Sequence, residues 1–266
     1  MDLSAYVVNC SILFGSLPLP ERLARVRAAG GRAVEFWWPF ESAHPDDAEI
    51  NTFIDALHDA EVDLAGLNLF AGDMAGGDRG VLSWPGREHE LHASVDVARR
   101  VQEATGCGIF NALYGRRLPK VPPAVQAESA LANLAYATSQ LAELGGTVVL
   151  EAVSGVPDYP LKTASDVVAV LMDAERREVE NAGLLLDVYH LSVNGDDVDQ
   201  AIDQYAARIA HVQLADAPGR GIPGSGTLPF DRWLEALDAA GYRGRIALEF
   251  QSTADNPFAP EQRRDS

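Results

Sequence analysis

Four residues in this chain carry the right donors, at matching places, to hold a divalent cation between them. Glu151, Asp187, Gln213 and Glu249 each follow a short apolar run: Thr-Val-Val-Leu, Ala-Gly-Leu-Leu-Leu, Ile-Ala-His-Val and Ile-Ala-Leu respectively. Such runs read as buried parallel strands. A carboxylate at the end of a buried strand is costly unless it is paired or metal-bound. Taken singly, each acid has a plain alternative, an arginine partner or a place at the solvent rim. Four oxygen donors at homologous strand ends favour the cation. Three carboxylates and an amide oxygen are hard ligands suited to Mg2+ or Mn2+, and a divalent charge lets like charges sit close together.

Two histidines and one arginine extend this candidate site towards a substrate. Asp187 and His190 are three apart and cannot share a regular strand face, so the chain must turn after Asp187. His190 then overhangs the site from the loop, as a donor to an oxygen that gains negative charge. His211 lies one pleat deeper than Gln213. It reads either as an inward residue beneath the cation, satisfied by a neighbouring carboxylate, or as a ligand itself, and is counted with His190 and Arg220 as a substrate-side candidate. The loop from Asp216 to Gly226 follows at once, and its Arg220 reads as a bidentate grip on a carboxylate or as an exposed residue of a structural turn. Glu35, Trp37 and Trp38 end another apolar run, where aromatic walls would shape a small pocket, although packing alone also explains the tryptophans. His44, His58, His89 and His92 fall on expected helices or loops and read as solvent-facing.

Positioning these ends takes a scaffold in which strands alternate with helices. Strands are expected over 6–12, 33–38, 64–70, 109–114, 147–153, 182–190, 209–216 and 246–251, the sixth turning after Asp187. Helical patterns lie between them, one opening at Pro18-Leu-Pro-Glu and stopped by Gly30-Gly31, others covering 123–144, 198–205 and 230–239. Eight such units predict a single α/β domain, a (β/α)8 TIM barrel over residues 1–256, whose site lies at the C-terminal strand ends. Residues 257–266 read as a flexible tail. The rival, a doubly wound open sheet, would carry a phosphate-binding glycine fingerprint after its first strand, and Asn9-Cys-Ser-Ile-Leu-Phe-Gly15 is not one.

Composition narrows the partners. A chain of 266 residues is long enough to bury a substantial core, and its net charge of −18 sets it against nucleic acid and anionic membranes. The reading is therefore a small-molecule substrate, with no nucleic acid and no membrane as partners. Cys10 and Cys107 do not resemble a disulfide framework or a CxxC site and read as reduced, packed thiols. The opening residues lack a basic region before an apolar core, so a cytoplasmic enzyme is the expectation.

Over nearly its whole length the chain resembles the hydroxypyruvate isomerases, within the xylose-isomerase-like barrel superfamily. The resemblance is carried by Ala33-Val-Glu-Phe, Asn68-Leu-Phe-Ala-Gly-Asp73, Leu150-Glu-Ala, Leu186-Asp-Val-Tyr-His190, His211-Val-Gln-Leu-Ala-Asp216 with Pro218-Gly-Arg220, Pro223-Gly-Ser-Gly226, and Glu249. It implies that Glu151, Asp187, Gln213 and Glu249 surround the metal, that Glu151 and Glu249 form the catalytic acid/base pair, and that His190 and Arg220 meet the substrate. It also implies a homo-oligomer. Many relatives carry His-Glu where this chain has Gly221-Ile222, and Glu where it has Thr227, differences that bear on the substrate. The implied reaction interconverts hydroxypyruvate and tartronate semialdehyde through an enediolate. A sugar 3-epimerase and an inosose-type dehydratase would use the same pair and metal. A catalytically silent barrel that binds metal or ligand is the non-enzyme alternative. An endonuclease of the superfamily would need several more histidines and a basic surface.

Overall fold

Parallel neighbours need a covering crossover, and this chain supplies one after every strand but the last. In the computed structural model, which describes residues 2–254 and 256–258, the strands are β1 (Val7–Asn9), β2 (Ala33–Phe36), β3 (Asp63–Asn68), β4 (Ile109–Asn111), β5 (Thr147–Glu151), β6 (Ala182–Asp187), β7 (Ile209–Leu214) and β8 (Ile246–Leu248). All pair in parallel, in sequence order, and β8 closes on β1. The helices are α1 (Leu19–Ala28), α2 (Asp47–Asp59), α3 (Glu88–Thr105), α4 (Pro123–Ala142), α5 (Ala164–Glu175), α6 (Val188–Asn194), α7 (Val198–Tyr205) and α8 (Phe230–Ala239). The expected (β/α)8 barrel is the observed one.

The outward-facing strand residues, among them Val8, Val34, Phe110, Leu184, Leu186 and Leu248, form one large core with the inner faces of the helices. Inside the barrel a separate, small cluster of Val7, Ala33 and Ala247, with Ala65 against it, closes the lower end. Small residues there let the strands approach. One pleat higher, β1 and β2 turn polar at Asn9 and Glu35, so the barrel has an apolar floor and a buried polar storey above it.

Every strand but β6 ends two or three residues sooner than expected, β1 and β2 for reasons the contacts show. β1 stops at Asn9 because the Asn9 Oδ1 accepts the Ser11 and Ile12 amides at 3.1 and 3.2 Å, turning the chain before Ile12. β2 stops at Phe36, and the Trp37 amide goes to the Ser11 Oγ at 2.9 Å. β8 stops at Leu248, one residue before Glu249. The loop expected to carry His190 is instead α6, capped at its start by Asp187 and at its end by Gly195 with φ 81°.

Cys10 and Cys107 are buried free thiols. Of the expected tail, Phe258 packs edge-on against Phe14 and Phe250, while residues 259–266 lie outside the described residues. Among the described residues no helix is long and apolar enough to cross a membrane.

Candidate active site and cation site

At the C-terminal mouth of the barrel four neighbouring strands deliver their polar ends to one place. Glu151 ends β5, Asp187 ends β6, Gln213 is the last residue but one of β7, and Glu249 follows β8; all four are buried. Asp187 is the register partner of Gln213, and Gln213 that of Ala247. Each of the three carboxylates is held by a donor. Glu151 accepts the Asn111 amide at 2.7 Å, Asp187 accepts the His190 backbone N–H at 2.9 Å, and Glu249 accepts the Trp37 indole N–H at 2.7 Å and the Asn9 amide at 3.0 Å. Arg220 reaches in from the loop after β7; its Nη2 bonds the Glu249 Oε2 and stands 3.8 Å from the Asp187 Oδ2.

Burial raises the pKa of all three acids. In Glu151, pushed well above the usual carboxylate range, the charges of Glu249 and Asp187 add to burial; in Asp187 and Glu249 burial outweighs the opposing pull of Arg220. Three carboxylates against one guanidinium leave two negative charges uncompensated, which is the charge of one divalent cation. Glu151, Asp187 and His190 each place a ligand atom within 4.8 Å of the others. The Gln213 Oε1 is buried with no hydrogen-bond partner among the described residues. A buried acceptor without a donor is costly, and a cation is the partner this donor set suits.

His190 is neutral. Burial, then the Arg220 charge, takes its pKa down to about 3. Its Nδ1 accepts the Ser154 backbone N–H at 3.1 Å and stands 2.7 Å from the Ser154 Oγ, so the ring proton sits on Nε2. That nitrogen is 3.7 Å from the Asp187 Oδ2, too far to be bonded, and is free to donate to a ligand.

His211 lies beneath the site with a carboxylate for partner, the first of its two expected readings, and not on the substrate side where it was also counted: its Nε2 is 2.8 Å from the Glu35 Oε2. Glu35 also accepts the Asn9 amide at 2.9 Å and the Gln213 amide at 2.7 Å. Burial pushes the Glu35 carboxyl up, but His211, Asn9 and Gln213 outweigh it and hold the group below its usual range. Glu35 was expected beside a small pocket with Trp37 and Trp38, whereas Asn9, Asn111 and Ser154 carried no expectation. Asn9 and Asn111 end β1 and β4 and Glu35 is the last residue but one of β2, yet the two asparagines are neutral and carry no charge whose burial demands a partner.

The Arg220 loop is built on Asp216, which is fully buried. Its carboxylate accepts four backbone N–H groups, from Ala217, Gly224, Gly226 and Leu228, at 2.8–3.1 Å. Gly226 is required there, since a Cβ would fall 2.5 Å from the Asp216 Oδ1. Arg220 itself takes a positive φ of 55°, and its guanidinium lies over the Tyr189 ring at 5.3 Å. Ile222 packs against the core and the Thr227 hydroxyl donates to the Ala217 carbonyl. Asp216→Ala strands several donors and is expected to cost at least about 2 kcal/mol in urea unfolding; a loss under about 0.5 kcal/mol, the range of an ordinary surface change, would contradict this account of the loop.

Glu151, Glu249, His190, Arg220, Trp37 and Ser154 face one cavity of about 450 Å³. The profile of the xylose isomerase-like TIM barrel family matches residues 23–265. A Streptomyces coelicolor protein named "Putative hydroxypyruvate isomerase" is 46% identical over 95% of this chain and 92% of its own length. The Escherichia coli protein named "Hydroxypyruvate isomerase" is 28% identical over 92% of this chain and 93% of its own. Among solved structures, a Brucella melitensis protein described as an AP endonuclease of family 2 superposes with TM-score 0.84 at 27% identity, over 95% of each chain. A D-allulose 3-epimerase from Methylomonas sp. superposes with TM-score 0.75 at 20% identity, over 93% of this chain and 85% of that one, a likeness of fold. On its sequence profile, its barrel and its relatives, this chain belongs to the xylose isomerase-like TIM barrel family.

Proposed function

We propose that this chain is an isomerase that interconverts hydroxypyruvate and tartronate semialdehyde by metal-assisted proton transfer between Glu151 and Glu249. The observation that carries the reading is the placement of these two glutamates: both buried, both raised in pKa, and delivered from β5 and β8, three places apart round the eight-strand ring. A substrate between them has one carboxylate on each side. The names of the relatives supply the substrate.

Hydroxypyruvate carries its carboxylate beside the C2 carbonyl. Arg220 is the cation placed to meet that carboxylate, and on doing so it lessens its hold on Glu249. One glutamate takes the proton from C3; the other supplies a proton to C2. The hydroxyl proton passes from the C3 oxygen to the C2 oxygen, so the product has the same atoms as the substrate. A carboxylate on each side of the substrate can take a proton from one carbon and supply a proton to the other. The Nε2–H of neutral His190 donates to the oxygen on which negative charge collects. A divalent cation held by Glu151, Asp187, Glu249 and the Gln213 Oε1 would polarise the carbonyl and stabilise the enediolate charge. We assign Mg2+ or Mn2+ from these hard donors.

His190→Gln is expected to lower kcat about 10²-fold with a smaller change in KM, and the acid limb of the wild-type pH profile should show no group near the usual histidine pKa. A limb at about 6.5 that vanishes in the variant would contradict the neutral-donor role. The substrate is tested by comparing kcat/KM for hydroxypyruvate, a four-carbon 2-oxo-tetronate and a ketohexose on the Mn2+-loaded protein. Relatives from Cupriavidus necator and Haemophilus influenzae, 29% and 28% identical, are named 2-oxo-tetronate isomerase. Preference for hydroxypyruvate supports the proposal; preference for either longer substrate replaces it.

A further inference from the structure

We propose that Glu35 is a positioning residue, a buried carboxylate that fixes the Gln213 amide with its oxygen towards the cation site and holds the Asn9 amide against Glu249. The inference rests on the cation-site reading above and deepens it. Glu35 touches neither the cavity nor the expected cation ligands other than Gln213. Its effect is on orientation.

A carboxylate only accepts hydrogen bonds. The side chain facing it at 2.7 Å must therefore present the Gln213 Nε2, which turns the Oε1 the other way, and that oxygen is the buried acceptor with no partner. An amide is nearly symmetric in shape, so packing alone does not choose between its two ends. The reverse orientation would set N–H groups against a cation. Asn9 is fixed in the same manner: its Oδ1 is taken by the Ser11 and Ile12 amides, and its Nδ2 spans the Glu35 Oε1 at 2.9 Å and the Glu249 Oε1 at 3.0 Å. One carboxylate thus orients the neutral donor of the cation site and, through Asn9, one of the two glutamates. His211 holds the other Glu35 oxygen at 2.8 Å. Gly66 on β3 leaves the room, since a Cβ there would come within 3.3 Å of the Glu35 Cβ. Partners that orient metal ligands in this way typically account for about 10–100-fold in metal affinity.

The test is a cycle of E35Q, Q213E and E35Q/Q213E, read by calorimetric Mn2+ affinity and by the Mn2+ EPR spectrum, without substrate. E35Q removes the constraint and is expected to weaken Mn2+ binding about 10–100-fold and broaden the spectrum. Q213E sets two acceptors face to face and is also expected to weaken it. In the double variant the introduced amide donates to the introduced carboxylate, whose other oxygen faces the cation, and affinity should return to at least the wild-type level. A residue that served only folding would lower stability in both E35Q proteins with no such rescue. E35Q binding within about threefold of wild type, well short of an orienting partner's effect, or a double variant no tighter than both singles, overturns the proposal while leaving the cation site standing. Wild-type protein that binds no Mn2+ overturns the site and the role of Glu35 with it. Should E35Q alone fail to fold, Q213E against the double variant decides: equal or weaker binding by the double variant refutes the proposal.

Discussion

Glu249→Gln is expected to lower kcat at least ~10²-fold, and up to ~10⁴-fold, the range of a positioned acid or base, while leaving the barrel folded. The amide has nearly the shape of the carboxylate and its oxygen can still accept from the Trp37 indole and the Asn9 amide, while the Arg220 contact at the other oxygen is lost. It cannot take a proton from carbon. Because the substitution removes one buried negative charge from a cluster that repels itself, cation-free protein should be no less stable than wild type, and slightly more stable is the expected sign. Glu151→Gln should behave alike in both respects, with the Asn111 bond retained. Steady-state rates together with urea unfolding check the pair of outcomes. A variant that keeps more than about a tenth of the wild-type kcat, outside the acid/base range, would show that the glutamate serves the cation or the fold and not the proton transfer.

Removal of the divalent cation is expected to have an effect of similar size, and one whose sign depends on pH. The raised pKa values of Glu151, Asp187 and Glu249 mean that the folded protein without cation binds protons more tightly than the unfolded chain does. A raised carboxylate adds stability below its unfolded pKa and loses that contribution as pH rises through its folded value. Stripped protein therefore loses the contribution of this cluster on going from the ordinary carboxylate range towards neutrality. Glu35, held below its usual range, has the opposite dependence, lost on acidification. Subtracting stripped from Mn2+-loaded protein isolates the three upper acids. The rise in Tm on adding Mn2+ should be larger at about pH 8 than at about pH 5.5, above the ordinary carboxylate range, since the cation must displace a proton at the lower pH. Chelation should also stop turnover, with recovery on adding Mn2+ or Mg2+. A thermal shift independent of pH, or turnover unaffected by chelator, would contradict the cation site.

The second half of the barrel was legible because its strands end in charge. Leu-Leu-Leu before Asp187 and Val-Val-Leu before Glu151 leave a carboxylate that burial must account for, and the same reasoning found Gln213 and Glu249. The first half carries the same architecture with weaker marks. β1 and β4 are three residues long and end in asparagine, a neutral residue common in turns, so nothing in Val-Val-Asn or Ile-Phe-Asn demands a partner. Glu35 is followed by Phe-Trp-Trp, and that aromatic run drew the expected end of β2 two residues too far, past the point where Ser11 takes the Trp37 amide. α6 was marked by Asp187 ahead of it and Gly195 behind it, but Asp187 had already been read as a ligand; it is placed to serve as both, one oxygen capping the helix and the other facing Arg220. The place of Arg220 is a tertiary fact. It depends on four amides converging on Asp216 across twelve residues of loop, which no local pattern reports.

The most direct test follows hydroxypyruvate by proton NMR in D2O with Mg2+-loaded protein, the chelated protein and Glu249→Gln run alongside. Tartronate semialdehyde is expected to form with deuterium at C2 while the remaining substrate exchanges at C3; chelation should abolish both, and the variant should abolish conversion, keeping C3 exchange only if Glu151 is the C3 base. Cation-loaded, folded protein that neither converts hydroxypyruvate nor exchanges its C3 protons would contradict the proposed isomerase.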